Sequence, residues 1–341
     1  PIYGFEFFFG LPHSNDMDPA PGAPAGASGR ADPDPAWWNA PLWRDAAIVE
    51  RPVDQTTLTK RTIDEAVAFV ERAADGPFFL YVPLSFPHVP LFASAEFRGK
   101  SPRGLYGDVV EELDAGVGRL LAAIAARGID RDTLVVFTSD NGPWLSYGDH
   151  AGSAGPLREG KGTAFEGGHR VPCVARLPGR IPAGTVCDAP LMTIDVLPTI
   201  AGLTGSPLPT DAAGFCTVEG KRIDGHDRWP LFRGEKPAAD AAPPVYSFWY
   251  GDNELQAVRE GRWKLFLPHT ARALEGRAPD LPRVLHFVTG SDRWCTASEW
   301  PPSGSDHVLH LDGGRLLASP GAASSASLRA DPADPVPTCG G

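Results

Sequence analysis

The sequence is poor in three features that mark large classes of proteins: long apolar runs, paired cysteines and blocks of basic residues. No stretch approaches the roughly 18 consecutive apolar residues of a membrane-spanning helix, so no such helix is expected. The five cysteines form no Cys-x-x-Cys pair, which argues against a zinc site. The formal net charge is -11 without a dense Lys/Arg cluster, so nucleic acids and anionic membrane surfaces are not expected as partners.

The composition that remains is that of a globular protein. The 341 residues are 42% hydrophobic and 21% charged, enough for one large α/β domain with a smaller appendage. We expect residues 1–240 to form the α/β domain, residues 241–270 to begin a small antiparallel subdomain, and residues 271–341 to be an atypical low-complexity tail. The chain starts without methionine or a signal peptide, and we expect an amino-terminal part of the protein to be missing.

Two apolar segments and the helix between them predict a βαβ unit. Residues 78–82 (FFLYV) and 134–138 (LVVFT) are typical of strands that are buried on both faces. Residues 106–127 carry apolar side chains at three- and four-residue spacing, which indicates an amphipathic helix that ends at Gly128. With a right-handed crossover, the two strands are expected to be parallel neighbours.

Polar side chains suited to binding ligands follow both predicted strands. Because the carboxyl ends of parallel neighbours meet at one sheet edge, we expect His88 and the Asp140-Asn141 pair to face a common crevice. A carboxylate beside an amide carbonyl supplies the hard oxygen donors that Ca²⁺ and Mg²⁺ prefer. Lys161, flanked by glycines in the next loop, is suited to approach an anion closely. The competing interpretations are a solvated turn or an Asx-turn for Asp140-Asn141 and a structural role for His88.

Local patterns predict the remaining elements, and the last of them indicates a small antiparallel sheet. They are a helix from Thr62, which has capping-box spacing, to Asp75-Gly76, a strand within 171–177, a helix over 193–203, a strand over 245–250, and a hairpin of 256–259 and 262–267 around Glu260-Gly261.

From Ser139 onward the sequence resembles a known family. The segment SDNGPWLSYGDHAGSAGPLREGKGTAFEGGHRVP is similar to the central signature of the type I sulfatases, the arylsulfatase A-like family of the alkaline phosphatase superfamily. Supporting segments lie at 4–19, 51–66, 77–91, 193–203 and 255–269. The resemblance implies an α/β fold with a mostly parallel sheet flanked by helices and a small carboxyl-terminal antiparallel subdomain. Family features are absent at both ends. The formylglycine signature Cys-x-Pro-x-Arg, the early paired aspartates and the Lys-Trp-His segment are missing at the amino end, and the absence of the Glu-Leu-Tyr-Asp-Leu ending fits a shifted reading frame or an unrelated tail.

The resemblance also implies a role for each candidate residue. In sulfatases a formylglycine hydrate, made from the cysteine of the absent signature, attacks sulfur, and a divalent cation binds the sulfate oxygens. By motif, Asp140 and Asn141 match metal ligands for Ca²⁺, with Mg²⁺ as the alternative. Lys161 matches the lysine that contacts the sulfate and bridging oxygen, and His88 matches the histidine beside the leaving-group oxygen. His150 is a weaker candidate for substrate contact, since its default role is structural.

We therefore expect the complete protein to hydrolyse aryl or carbohydrate sulfate esters with formylglycine and Ca²⁺, and the 341 residues alone to be inactive. The expected partner is a small-molecule or glycan sulfate ester, and family habit implies a periplasmic, secreted or lysosomal location. Two alternatives stay open. One is a phosphoric or phosphonic monoester hydrolase of the same superfamily, and the other is a non-catalytic remnant that binds anionic glycans.

Overall fold

The structure, a computed structural model, describes residues 4–73, 76–212, 216–236, 244–250, 254–261 and 263–267, and the backbone of five further strands between residues 284 and 330. The chain divides into two compact units. The first unit comprises Pro1–Val136, Pro143–Ser153 and Arg176–Pro178, and the second comprises Phe137–Gly142, Ala154–Ala175 and Gly179–Gly341.

The described residues contain five α-helices and fifteen strands, and most of the strands lie in antiparallel sheets. The helices are α1 (Leu58–Arg72), α2 (Gly104–Ala126), α3 (Glu166–His169), α4 (Val196–Leu203) and α5 (Trp229–Phe232). The strands are β1 (Phe9–Gly10), β2 (Leu42–Arg44), β3 (Ala47–Glu50), β4 (Val135–Thr138), β5 (Cys173–Arg176), β6 (Thr217–Val218), β7 (Lys221–Arg222), β8 (Val245–Tyr250), β9 (Glu254–Glu260), β10 (Trp263–Phe266), β11 (Val284–Val288), β12 (Arg293–Ala297), β13 (His307–Asp312), β14 (Arg315–Leu317) and β15 (Ser327–Ala330). The sheet orders are β1-β2-β3, β4-β5, β6-β7, β12-β11-β10-β9-β8 and β14-β13-β15.

In the first unit, α1 and α2 pack closely through a glycine. A Cβ atom on Gly116 would lie 2.8 Å from Cγ1 of Ile63, whose side chain is fully buried. The guanidinium of Arg119 on α2 forms a 2.6 Å ion pair with Asp64 on α1. The apolar stripe of each helix therefore faces the other helix, as the amphipathic patterns predicted.

Both predicted helices are confirmed, and one has a shifted boundary. α2 coincides with the predicted helix, whereas α1 begins at Leu58 rather than at Thr62. The earlier start has a local cause, because the carboxylate of Asp54 accepts a hydrogen bond from the backbone N–H of Thr56. This bond caps a 3₁₀ turn that continues into α1. The predicted end of this helix at Asp75-Gly76 cannot be compared in full, because Asp75 lies outside the described residues.

The prediction that residues 78–82 form the first strand of a βαβ unit is wrong. Residues 78–82 have no regular secondary structure, and no strand in the described part of the chain pairs with them. Phe79 is 62% exposed and Tyr81 is 67% exposed, so the run is not the buried centre of a sheet. An apolar run becomes a strand only when a neighbouring strand satisfies its backbone hydrogen bonds, and the run itself does not supply that neighbour.

The segment that follows this run contributes instead to the core of the first unit. The core residues include Trp38, Leu42, Leu58, Phe86, Leu91, Phe92 and Val109. Asn15 is buried beside them, and its side-chain amide donates hydrogen bonds to Gln55 and to the carbonyl oxygen of Pro90. The bond to Pro90 holds the backbone just after His88, which lies between the buried Phe86 and Pro90.

The second predicted strand of the βαβ unit is confirmed as β4, but its predicted burial is wrong. Val136 is 39% exposed and Phe137 is 45% exposed. β4 pairs with β5, which confirms the strand predicted within 171–177, and no other strand of the described residues adjoins β4. Among the described residues β4 therefore belongs to a small sheet and is not the central strand of a larger sheet that is covered on both faces.

In the second unit, the predicted strand and hairpin near the carboxyl end are confirmed as β8, β9 and β10. These strands form an antiparallel sheet in which β9 and β10 are joined at Gly261. Tyr246, Phe248 and Ala257 of this sheet pack with Ala164 to form a buried cluster. The segment that contains Ala164 is thereby held against the face of the sheet.

The predicted helix over 193–203 is confirmed as a 3₁₀ turn followed by α4. The buried carboxylate of Asp195 accepts hydrogen bonds from the backbone N–H groups of Met192 and His226 and from the hydroxyl of Tyr246. Asp195 therefore links the start of this helix to β8.

The tail contains strands that its composition does not predict. β11 and β12 extend the sheet of β8–β10, while β13, β14 and β15 form a separate sheet. The rest of residues 271–341 lies outside the described residues, and the predicted domain boundaries at residues 240 and 270 stay a prediction. No helix in the described part of the chain combines the length and apolar character needed to span a membrane.

Candidate functional site

The Asp140-Asn141 pair lies in the turn that follows β4, as predicted. The hydroxyl of Thr138 donates to the carbonyl oxygen of Pro172 at 3.0 Å, and the hydroxyl of Ser139 donates to that of Asn141 at 2.9 Å. In the alternative Asx-turn the backbone N–H of Gly142 would donate to the Asp140 carboxylate, but it donates to the carbonyl oxygen of Gly168 instead. Asp140 is exposed and Asn141 is half-buried, so a carboxylate and an amide oxygen remain available to a ligand.

This turn is fastened to the beginning of α3. The backbone N–H of Gly142 donates to the carbonyl oxygen of Gly168 at 2.9 Å. A Cβ atom on Gly142 would lie 1.7 Å from the carbonyl oxygen of Gly167, a distance that no side chain tolerates. Only glycine at position 142 lets the turn approach α3 this closely.

The loop that carries Lys161 is closed by the same residues of α3. The backbone N–H of Gly167 donates to the carbonyl oxygen of Arg158 at 2.8 Å, which joins the two ends of the loop. Inside the loop, the hydroxyl of Thr163 donates to the carbonyl oxygen of Gly160 at 2.9 Å. Lys161 is half-buried within this closed loop. The structure therefore connects the Asp140-Asn141 turn to the loop of Lys161 through α3.

His88 lies in the first unit, where its ring has a defined orientation. Nδ1 lies 2.6 Å from the carbonyl oxygen of Val89 and 3.3 Å from the hydroxyl of Ser14. Because a carbonyl oxygen only accepts, this contact places the hydrogen of a neutral ring on Nδ1. The ring centroid lies 5.8 Å from that of Trp144. Nε2 is then the nitrogen left to act on a substrate.

His150, the weaker candidate, also belongs to the first unit. Its side chain is 8% exposed, and its Nδ1 has no hydrogen-bond partner among the described residues. Burial lowers the pKa of His150 below its usual range, and the neighbouring Asp149 opposes this shift only in part. At neutral pH the ring is therefore uncharged and adds no positive potential for binding an anion.

The residues at positions 140 and 141 fit a hard cation in chemical type. Carboxylate and amide oxygens are the ligands that Ca²⁺ takes, about six to eight at a time. Among the described residues, no group of three or more His, Cys, Asp or Glu side chains is arranged to hold a metal ion. Two residues are too few to complete such a set, so the metal site at Asp140 and Asn141 stays a prediction.

The predicted site residues are distributed over both units. Asp140, Asn141 and Lys161 lie in the second unit, whereas His88 and His150 lie in the first. The placement of all of them in one crevice stays a prediction. That prediction was based on a strand over residues 78–82, and these residues do not form a strand.

Sequence analysis missed a buried ion cluster in the second unit. Glu166 on α3 forms ion pairs with Lys264 at 3.0 Å and with Arg259 at 3.4 Å. One signal was present in the sequence, since Lys264 and Phe266 are two residues apart and share one face of a predicted strand. That alternation indicates a lysine on the buried face, but it does not identify the carboxylate that pairs with it.

Comparisons with known proteins agree on a family. Residues 2–206 match the family model described as Sulfatase. The chain is 41% identical to steryl-sulfatase of Mus musculus over 237 residues, which cover 67% of this chain and 36% of that protein. It is 32% identical to arylsulfatase G of Mus musculus over 341 residues, which cover 90% of this chain and 58% of that protein. The chain thus spans between 36% and 58% of the length of these two relatives.

A solved structure has the same fold. The chain is similar to Ps i-CgsB in complex with k-i-k-neocarrahexaose, with a TM-score of 0.55 and 32% identity. The match covers 67% of this chain and 49% of that chain. This likeness confirms the predicted fold class, an α/β fold of the alkaline-phosphatase type with small antiparallel sheets.

Proposed function

Because the chain belongs to the sulfatase family, we propose that it binds the sulfate group and activates the leaving group in a sulfuric ester hydrolase. The proposed substrates are aryl or carbohydrate sulfate esters, since an arylsulfatase and a glycan-bound structure are among the proteins it resembles. The observation that carries the proposal is the 2.9 Å hydrogen bond from Gly142 to Gly168, which fastens the Asp140-Asn141 turn to the loop of Lys161.

Lys161 is proposed to bind the sulfate group. The chain carries a formal net charge of -11, so its overall field repels an anionic ester and a local cation has to offset this. The ammonium of Lys161 belongs to a half-buried residue, where charge–charge attraction is stronger than in bulk water. The closed loop holds this ammonium in place for the sulfate oxygens and for the bridging oxygen as negative charge develops there.

His88 is proposed to protonate the leaving-group oxygen through Nε2: the donor is the imidazolium, with a hydrogen on each ring nitrogen, and loss of the Nε2 proton leaves the neutral ring with its hydrogen on Nδ1. Cleavage of the sulfur–oxygen bond leaves an alkoxide or a phenoxide, and the alkoxide is the stronger base. A proton from His88 therefore contributes more to the hydrolysis of a carbohydrate sulfate than to that of an aryl sulfate. The contact of Nδ1 with Val89 fixes the ring so that Nε2 remains available.

Asp140 and Asn141 are proposed to hold a divalent cation, Ca²⁺ or alternatively Mg²⁺. Such a cation polarises the sulfate and neutralises part of its charge, and formylglycine supplies the nucleophile of the family. The 341 residues contain no Cys-x-Pro-x-Arg sequence from which formylglycine could be made. We therefore propose that these residues are inactive when they are expressed alone.

The test begins with the coding DNA on either side of this segment, read in all frames for Cys-x-Pro-x-Arg. The protein that contains this signature and residues 1–341 alone are assayed with an aryl sulfate, a carbohydrate sulfate and an aryl phosphonate, each with Ca²⁺ or with a chelator. Calcium-dependent sulfate hydrolysis is expected only with the signature present. Lys161→Ala is expected to lower kcat/KM about 100-fold, and His88→Ala is expected to affect the carbohydrate ester more than the aryl ester.

Three results would count against this proposal. Turnover by residues 1–341 alone would show that the nucleophile lies within them. Preference for the phosphonate would favour the phosphohydrolase alternative. Binding of anionic glycans without turnover of any ester, by a protein whose signature cysteine is missing, would favour the non-catalytic alternative.

A further inference from the structure

The ion cluster around Glu166 is a deeply buried group of charges in the second unit. Glu166 is 5% exposed and Lys264 is 2% exposed. One carboxylate oxygen of Glu166 pairs with the ammonium of Lys264, and the other pairs with the guanidinium of Arg259. Both oxygens are therefore used, which is the condition under which a buried carboxylate is tolerated.

Aromatic side chains enclose this pair. The ammonium of Lys264 lies 3.8 Å from the centroid of the Phe248 ring and 5.3 Å from that of Phe266. The ring of Phe165 stacks on Phe266 with centroids 4.9 Å apart. Two consecutive residues, Phe165 and Glu166, therefore anchor the chain to the sheet of β8–β10, one by stacking and one by charge.

The pair is charged at neutral pH. Burial lowers the pKa of Lys264 to about 8, while Glu166 opposes this shift, so most of the ammonium remains protonated at pH 7. Burial alone would raise the pKa of Glu166, but the charges of Lys264 and Arg259 lower it below its usual range. Partial desolvation and the charge of Lys264 lower the pKa of His169 to about 4, so His169 adds no positive charge there.

The anchored residues are the same ones that close the loop of Lys161. Glu166 begins α3, and the next residue, Gly167, donates its N–H to Arg158 at the start of the loop. The guanidinium carbon of Arg158 lies 4.3 Å from the centroid of the Phe165 ring, which adds a second connection between the two ends. Lys161 therefore lies in a closed ring of backbone that is attached to the sheet by Phe165 and Glu166, next to the apolar contact that Ala164 makes with the same sheet.

We propose that Glu166 and Lys264 are positioning residues that hold the loop of Lys161, so that its ammonium is placed for the sulfate ester. This proposal rests on the proposed function in one respect, namely that the ligand of Lys161 is a sulfate ester. The pair does not touch the substrate, and its effect on turnover passes through Lys161. The carboxyl-terminal sheet thereby contributes to sulfate binding without supplying a contact of its own.

The first test measures the loop without requiring activity. Amide hydrogen exchange is followed in the 341-residue chain for wild type, Lys264→Met, Lys264→Arg and Glu166→Gln. Exchange of the Gly167 and Gly168 amides is expected to rise about tenfold or more in Lys264→Met, because the attachment of α3 is lost. Lys264→Arg keeps the charge and is expected to restore exchange to within about threefold of wild type.

A matched control separates this effect from a general loss of stability. Tyr246→Phe removes the hydroxyl that donates to Asp195 at 2.9 Å, a buried hydrogen bond of the same sheet that does not reach the loop. It is expected to lower the melting temperature without changing exchange at Gly167 and Gly168. Equal exchange at these amides in Lys264→Met and wild type would overturn the proposal, and so would equal acceleration in Tyr246→Phe. If Lys264→Met does not fold, Glu166→Gln, which keeps the shape of the side chain, is judged by the same criteria.

The second test uses turnover by the protein that carries the nucleophile. In a double-mutant cycle, Lys264→Met is expected to lower kcat/KM for an aryl sulfate at least tenfold when Lys161 is present, and less than about twofold in the Lys161→Ala background. Additive losses would show that Lys264 acts elsewhere and would overturn the proposal. If Lys161→Ala alone changes nothing, the proposed function fails, and the exchange experiment then decides the positioning role.

Discussion

Replacing Gly142 by alanine is expected to separate the Asp140-Asn141 turn from the loop of Lys161. The new Cβ would lie 1.7 Å from the carbonyl oxygen of Gly167, whereas ordinary contact begins at 3.4 Å, so the turn has to move by more than 1 Å. Such overpacking and the loss of the Gly142 to Gly168 hydrogen bond together cost about 2–4 kcal/mol. A displacement of this size is also expected to lower kcat/KM about 100-fold.

The assay for Gly142→Ala is urea unfolding followed by fluorescence, together with calorimetric titration of Ca²⁺. The matched control is Gly118→Ala on α2, where a Cβ atom would meet nothing within 4 Å. Because alanine is the better helix former, the control is expected to gain about 0.5–1 kcal/mol in the free energy of unfolding. The two glycine-to-alanine changes thus have opposite expected signs. A Gly142→Ala protein as stable as wild type, with unchanged affinity for Ca²⁺, would refute the reasoning.

Two further predictions concern carboxylates with contrasting environments. Asp140→Ala is expected to abolish the Ca²⁺ binding that calorimetry measures. Because Asp140 is exposed, the free energy of unfolding should change by less than about 0.5 kcal/mol. Marked destabilisation would indicate a structural role instead. Burial would raise the pKa of Asp108, but hydrogen bonds from the backbone N–H groups of Ser101, Gly99 and Lys100 lower it below its usual range. This stabilisation is present above the unfolded-state pKa of about 3.9 and is lost as pH falls through the lower folded-state pKa. The difference in melting temperature between wild type and Asp108→Asn should therefore close below about pH 4, and a difference that is constant from pH 7 to pH 3 would contradict this.

The elements that sequence predicted well are those specified by local information. The apolar spacing of α2 places one stripe on one face of a helix whatever lies beside it, and its glycine stop is adjacent in sequence. β8 and the β9–β10 hairpin are likewise set by residues close together along the chain, with Gly261 at the connection. Residues 78–82 have a strand-like composition, but a strand depends on a partner that is often distant in sequence. Composition therefore predicts that such a run is apolar, not whether it is paired.

The residues of the candidate site divide in the same way, into those that a local motif identifies and those that only the fold identifies. A motif was enough to select Asp140, Asn141 and Lys161, because all three residues lie in one continuous segment of the sequence. The pair of Glu166 and Lys264 was not found, since the two residues are 98 positions apart and the alternation around Lys264 does not identify its partner. A single sequence does not identify such a pair because no local pattern depends on it. Only the fold reveals that both residues lie on the buried side of the same sheet.

The structure gives the glycines around Lys161 a different role from the one that the sequence suggests. From the sequence, they allow backbone and ammonium to approach an anion. In the structure, a Cβ atom on Gly167 would lie 1.9 Å from the carbonyl oxygen of Glu159, and one on Gly168 would lie 2.4 Å from that of Thr163. These two glycines are required because the loop packs against its own backbone. Their spacing in the motif therefore reflects the closure of the loop, and the proposed binding of an anion depends on Lys161 itself.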